Sequence, residues 1–299
     1  MTAPILGAHM SIAGGLFRAV ERAAEVGCDC VQLFTGNPRS FPKHARDPKT
    51  RSTAPQRLFG DDQVGRFAAT LAETGVEHPI SHSSYLINLA SPDPQLWLKS
   101  IDTMEDELRR AGELDIPYVV VHPGAHTTAS SEAGMENIVR ALDELEKRLP
   151  DEAAHCLLET TAGQGTCLGW QFEQLGEMLN GVRCNDRLGV CVDTCHVFAA
   201  GYELAERRDY LATIRRLDKA VGLERVKAFH LNDSKTECGS RVDRHDHIGF
   251  GEMGVEPFRH LVNDRRFRKT PMYLETRKGE DESGELWDKI NLQTLRDLA

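Results

Sequence analysis

Short runs crowded with apolar residues alternate along this chain with longer stretches whose apolar positions recur every three or four residues. The short runs cover residues 5–9, 30–34, 78–82, 118–122, 156–159, 188–193, 225–231 and 272–275. Near-continuous apolarity of that length predicts strands buried on both faces, as in a parallel sheet. Between them, residues 14–27, 61–75, 95–115, 132–149 and 171–180 show the spacing of amphipathic helices. Gly27, Gly75 and Gly181 stand where a glycine would end three of these helices, and Ser91 and Asp93 lie near the start of another. Eight strand-and-helix units of about 37 residues each predict an α/β fold of the TIM-barrel type, (β/α)8, with its functional mouth at the carboxyl ends of the strands. A chain of 299 residues fits one such barrel, so residues 1–299 are expected to form a single domain.

Two segments break the rhythm. Residues 37–57 carry four prolines and six basic residues (Arg39, Lys43, Arg46, Lys49, Arg51 and Arg57) against one acid, Asp47. A basic connection this long suggests either a binding loop or a solvated one. Residues 234–254, after the seventh strand, are polar and hold Asp243-Arg244-His245-Asp246-His247. The alternation resumes after each, so neither reads as a domain linker.

Composition narrows the function classes. The longest strongly apolar run, Tyr118-Val119-Val120-Val121, is far too short to span a bilayer, and the opening residues read as a strand rather than a leader, so neither membrane nor secretion is expected. The eight cysteines include no C-x-x-C pair, and several sit inside apolar strands such as Val190-Cys191-Val192. Reduced thiols used as packing, in a cytoplasmic protein, are the simplest expectation. With 36 Lys and Arg against 46 Asp and Glu, the net charge of −10 disfavours a polyanionic partner unless cations are bound.

Chemistry enters where polar residues end the apolar strands. His82, His122, Glu159 and Asp193 close strands three to six, with His196 just beyond; His230 and Glu275 close strands seven and eight, and Asp243 and His245 follow in the loop between them. Carboxyl ends of barrel strands converge, so these nine side chains would share one mouth. Five imidazoles and four carboxylates are a donor set for zinc or manganese, and nine donors exceed what one catalytic zinc uses, which points to two or three ions. A single histidine or carboxylate at a strand end is more often a satisfied polar residue; nine together are not accounted for in that way. His9 also ends a strand and is expected behind the ligands. His44, His78, His155 and His260 read as structural, His126 and His247 as neighbours of ligands, and Cys195 as packing.

Three longer strings carry a resemblance. His82-Ser83-Ser84-Tyr85-Leu86-Ile87-Asn88-Leu89-Ala90, Gly189-Val190-Cys191-Val192-Asp193-Thr194-Cys195-His196, and His230-Leu231-Asn232-Asp233-Ser234-Lys235 through Asp243-Arg244-His245 resemble the signatures of the endonuclease IV family, and Gly7-Ala8-His9 with Gly14-Gly15 looks like its opening strand. The resemblance runs from about Gly7 to Glu275. It implies a trinuclear-zinc TIM barrel that cuts DNA at abasic sites. It further implies that His82, His122 and Glu159 hold one zinc, that Glu159, Asp193, His230 and Glu275 hold a second with Glu159 bridging, and that His196, Asp243 and His245 hold the third; manganese is an alternative at one site.

On this reading the substrate is double-stranded DNA containing an abasic site, attacked in line at the phosphate 5′ to the lesion to leave a 3′-OH and a 5′ deoxyribose phosphate. Removal of 3′-blocking groups is expected as well. Metal coordination lowers the pKa of water from 15.7 to roughly 7, which supplies a nucleophile at neutral pH. Glu275 is the candidate for orienting it, with Glu159 the alternative. Three Zn²⁺ bring six positive charges against four on the carboxylate ligands, which makes the site itself attractive to phosphate. The resemblance implies that Arg39, Tyr85 and Leu86 wedge into the duplex where the abasic nucleotide leaves the stack; cap packing is the alternative for Tyr85 and Leu86. The segment after Arg39 is about ten residues longer than the family pattern, and its basic residues would extend the DNA footprint. A monomer is expected.

Two other readings differ in class. A sugar isomerase or epimerase on a similar barrel needs only Glu159, Asp193, His230 and Glu275, leaving the other five donors and the basic loop without a purpose. A non-catalytic damage-binding protein would keep the barrel, yet carboxylates crowded without metal destabilise a fold.

Overall fold

The computed structural model describes residues 3–41 and 58–299. Strand β1 (Leu6–His9) is followed by α1 (Leu16–Glu25), β2 (Cys30–Phe34), α2 (Asp61–Thr74), β3 (Glu77–His82), α3 (Pro94–Glu113), β4 (Tyr118–Val121) and α4 (Ser131–Arg148). The second half runs β5 (His155–Glu159), α5 (Phe172–Gly181), β6 (Leu188–Asp193), α6 (Thr194–Ala199), α7 (Arg207–Ala220), β7 (Val226–His230), β8 (Asp233–Ser234), β9 (His245–Asp246), α8 (Glu256–Val262), β10 (Met272–Leu274) and α9 (Trp287–Leu298). β1 to β7 and β10 pair in parallel, each with its chain neighbour, and β10 closes the barrel against β1. The eight expected strands are these eight, displaced by a residue at some ends: β4 and β10 stop one residue short of His122 and Glu275.

Four helices beyond the five expected appear among the described residues. α6 lacks a visible period because it is buried all round and starts directly from β6, with the Asp193 carboxylate accepting from the backbone N–H of His196 at 2.8 Å. Asp93 does open α3, accepting from the backbone of Gln95, whereas Ser91 sits two residues earlier and accepts from Asp93 instead. Gly75 ends α2 in the left-handed region, which glycine adopts without a Cβ clash. Gly181 does not play that part. It is the last residue of α5, followed by an extended Val182, and it allows close packing on Val139.

The strands alternate strictly between two cores. Leu6, Ala8, Val31, Leu33, Val119, Val121, Leu158, Val190 and Val192 face the helices. Cys30, Ile80, Val120, Leu157, Cys191, Ala228 and Tyr273, one from each of seven strands, fill the barrel interior. The eighth strand contributes Gly7, where a Cβ would stand 1.8 Å from the Cys30 carbonyl oxygen, so no side chain fits. This layer plugs the barrel and makes its upper end a cup. Two residues further along the chain in each case, with the same parity, stand His9, Gln32, His82, His122, Glu159, Asp193, His230 and Glu275, of which His122 and Glu275 lie one residue past their strands. The expected basic loop, 37–57, is described only as far as Phe41; Lys43, His44, Arg46, Lys49, Arg51 and Arg57 lie outside the described residues.

Candidate metal centre

All nine candidate donors are brought together. His82, His122 and Glu159 each offer a donor atom within 4.8 Å of the others; so do Glu159, Asp193, His230 and Glu275, and so do His196, Asp243 and His245. Glu159 belongs to two groups because its oxygens face opposite ways. Its Oε2 lies 3.3 Å from His82 Nε2 and 3.0 Å from His122 Nε2, and its Oε1 lies 2.8 Å from His230 Nδ1. The third group depends on the antiparallel pairing of β8 with β9, which swings the polar loop back over the mouth and sets His245 Nε2 3.3 Å from Asp243 and 3.4 Å from His196 Nε2. Asp243 and His245 do share a side, as their alternation predicts.

The histidines are oriented from behind. Carbonyl oxygens only accept, so His82 Nδ1 donates to Ser83 O at 2.9 Å, His196 Nδ1 to Thr160 O at 2.8 Å, and His245 Nδ1 to Glu275 O at 3.4 Å. In each ring the opposite nitrogen is turned into the cup, the orientation a metal-ligating imidazole needs. Asp193 is held likewise: Asn232 Nδ2 donates to its Oδ2 at 2.6 Å.

The electrostatics of the cup favour positive charge. Burial disfavours ionised Glu159, yet the imidazoles of His230 and His122 hold its carboxyl well below the usual range. Burial opposes a charge on His196 too, and Asp193 nevertheless pushes it well above the ordinary histidine value. Asp243, although partly desolvated, falls to about 2 through its hydrogen bond with His196. The four clustered carboxylates thus favour positive charge among them, and divalent cations would supply it with well-directed bonds. The donor set therefore fits a metal cluster.

A cavity of about 320 Å³ opens over this layer, and Tyr85, Lys278 and Glu275 line it. Tyr85 is 63% exposed and sets its ring edge-on to Phe34 and against His82. The backbone N–H of Tyr85 and the hydroxyl of Ser84 both donate to Pro38 O, at 3.2 and 2.9 Å. The turn bearing exposed Arg39 is thereby tied to the segment bearing Tyr85 and half-buried Leu86, so the three expected wedge residues share one rim.

Among the described residues, the remaining histidines join none of the three donor groups. His9 lines the cavity with Nδ1 3.6 Å from Glu275, behind the donor groups. His126 turns to Ala129 O, and His247 stacks on Trp287 at 3.8 Å; neither joins a donor group. His78, His155 and His260 stay outside, and His44 lies outside the described residues. Cys195 is completely buried, and its sulfur also comes within 4.8 Å of donor atoms of Asp193 and His245. Gln32, Thr160 and Asn232 were not singled out from sequence. Gln32 had a signal, a polar residue amid apolar ones two positions beyond inward Cys30; the other two work partly through loop backbone, which leaves none.

A family model described as a xylose isomerase-like TIM barrel, the AP endonuclease 2 family, matches residues 20–297. A probable endonuclease 4 of Chloroflexus aggregans is 48% identical over 296 residues, 99% of this chain and 98% of that protein. The crystal structure of endonuclease IV from Thermus thermophilus superposes with a TM-score of 0.81 at 36% identity, covering 99% of this chain and 98% of that one. A D-tagatose 3-epimerase-like protein superposes with a TM-score of 0.69 at 19% identity, 98% and 96% covered, a likeness of fold alone. Full-length identity of this order, together with the shared barrel, places the chain in the endonuclease IV family.

Proposed function

We propose that the chain is an apurinic/apyrimidinic endonuclease, cutting duplex DNA on the 5′ side of an abasic site to leave a 3′-OH, and that it also removes 3′-blocking groups. The observation that carries this reading is the grouping of nine buried or half-buried donors into three sets, each within 4.8 Å. The relatives' names support DNA as the substrate. Nine nitrogen and oxygen donors suit three zinc ions, with manganese acceptable at one site, held by the three groups described. Bound there, the cations would acidify a water and take up charge on the phosphate.

The chain's own residues divide the remaining tasks. Glu159 is fully buried and both its oxygens face imidazoles, which suits a bridging ligand and leaves it no approach to a substrate. Glu275 keeps part of its side chain on the cavity, so it orients the attacking water. His82, His122, His196, His230, Asp193, Asp243 and His245 complete the ligand set. Arg39, Tyr85 and Leu86 on the rim fill the gap in the stack, and the lesion is what makes room for them. One chain carries every donor group, so a monomer suffices, and eight free thiols suit the cytoplasm. No helix among the described residues is long and apolar enough to cross a membrane.

The test is incubation of metal-loaded protein with a duplex carrying one tetrahydrofuran abasic analogue, read on a denaturing gel. A single cut 5′ to the analogue, abolished by chelator and restored by zinc, is expected. Binding without incision at full zinc occupancy, or ketose–aldose interconversion with a single metal, would overturn it.

A further inference from the structure

One inward position of the upper layer is neither a donor nor idle. Gln32, in the middle of β2, is completely buried. Its Oε1 lies 2.8 Å from His230 Nε2, and its Nε2 donates to His9 Nδ1 at 2.9 Å and to Glu275 Oε1. Both N–H donors of the amide are used, and its oxygen has a partner. Turning it over would set its oxygen against the Glu275 carboxylate, so its orientation is determined.

The consequence falls on His230. An amide oxygen only accepts, so Nε2 of His230 donates to Gln32, and Nδ1 is the ring nitrogen left for a cation. Nδ1 is the nitrogen that faces the cluster, 2.8 Å from Glu159 Oε1 and 3.2 Å from Glu275 Oε2. The same amide grips Glu275 from its other end. Two members of the Glu159, Asp193, His230 and Glu275 group are therefore aimed by one side chain on a strand that supplies no ligand. The plug beneath could have continued upward with an aliphatic residue; an amide here is retained for its hydrogen bonds.

We propose that Gln32 is the positioning residue of this metal group, selecting Nδ1 of His230 as the ligating nitrogen and fixing the carboxylate of Glu275. The inference rests on the ligand reading above. Two variants test it: Gln32→Met, which keeps the bulk and removes the hydrogen bonds, and Gln32→Glu, which keeps an acceptor for His230 and sets a charge against Glu275. The readouts are zinc per chain, the rate of zinc loss to a chromophoric chelator, and nitrogen-15 histidine spectra of the zinc-loaded protein, which report the protonated nitrogen of His230.

In Gln32→Met, one zinc is expected to leave about ten- to a hundredfold faster while the other two leave at the wild-type rate. The His230 signal should become mixed, and kcat should fall with KM for abasic duplex unchanged. In Gln32→Glu the His230 signature returns to that of the wild type, but one zinc still leaves fast. Wild-type zinc loss and an unaltered His230 signature in Gln32→Met would overturn the inference alone. A wild-type chain that takes up no zinc would overturn the ligand reading and this inference together. Should Gln32→Met fail to fold, wild-type zinc loss from Gln32→Glu overturns it equally.

Discussion

Two layers of side chains fill this barrel, two residues apart on the same eight strands and facing the same way. The lower is Gly7, Cys30, Ile80, Val120, Leu157, Cys191, Ala228 and Tyr273; the upper is His9, Gln32, His82, His122, Glu159, Asp193, His230 and Glu275. A rise of about 7 Å separates apolar closure from a set of groups that no apolar environment tolerates unpaired. The lower layer obeys the ordinary rule for a buried interior, and its one hydroxyl, on Tyr273, donates to the His78 carbonyl oxygen. The upper layer violates that rule at every position, and its members satisfy one another only through protons or cations. The barrel is thus stabilised from below and made reactive from above, without any change of strand or of parity.

The two layers are expected to differ most at Glu275. Glu275→Gln keeps the shape and removes the charge that faces the cavity. It is expected to lower kcat on abasic duplex by about 10²–10⁴-fold while thermal unfolding stays near the wild type. Near-normal turnover in pure, folded variant would remove Glu275 from the chemistry.

The opposite result is expected one layer down. Leu157 stands on the same strand two residues before Glu159 and is fully buried. Leu157→Ala should cost about 2–5 kcal/mol in chemical denaturation, from lost transfer energy and a cavity the closed barrel cannot collapse around. Zinc per chain and kcat measured well below the melting temperature should be retained. A loss of zinc as large as the loss of stability would show that the two layers are not separable.

This separation also explains what was legible in the sequence. Strand positions were legible because residues buried on both faces leave nearly unbroken apolar runs, and the ligands because each interrupts such a run at its carboxyl end, as Glu159 follows Cys156-Leu157-Leu158 and Asp193 follows Val190-Cys191-Val192. Gln32 was harder to see. It stands in mid-strand, followed by Leu33 and Phe34, so it does not mark an end, and only the stagger of the barrel brings it level with His230 and Glu275. The β8–β9 pairing was equally hidden, since two two-residue strands carry no periodicity, yet it is what seats Asp243 and His245. Backbone acceptors such as Thr160 O leave no trace in side-chain chemistry at all.

The rim sharpens the comparison with the smallest effect. Tyr85 rests on Phe34 and His82, so its ring is braced by the upper layer while most of its surface meets solvent. A residue serving as a cap over His82 and one serving as a wedge into DNA make different predictions when truncated. A cap protects the donors from water, so Tyr85→Ala would speed zinc loss and leave duplex binding alone. A wedge contributes a stacking surface worth about 1–3 kcal/mol, so Tyr85→Ala, and more strongly the double variant with Leu86→Ala, would weaken binding to an abasic duplex by roughly ten- to a hundredfold with zinc content untouched. Affinity for an intact duplex should change little, since an undamaged stack offers no gap to fill. The wedge is the expected outcome, because Pro38 O ties the Tyr85 backbone to the turn carrying Arg39 and so presents a cation and a ring on one edge. Equal losses on abasic and intact duplex would assign Tyr85 to general DNA contact, and faster zinc loss alone would return it to the site as a lid.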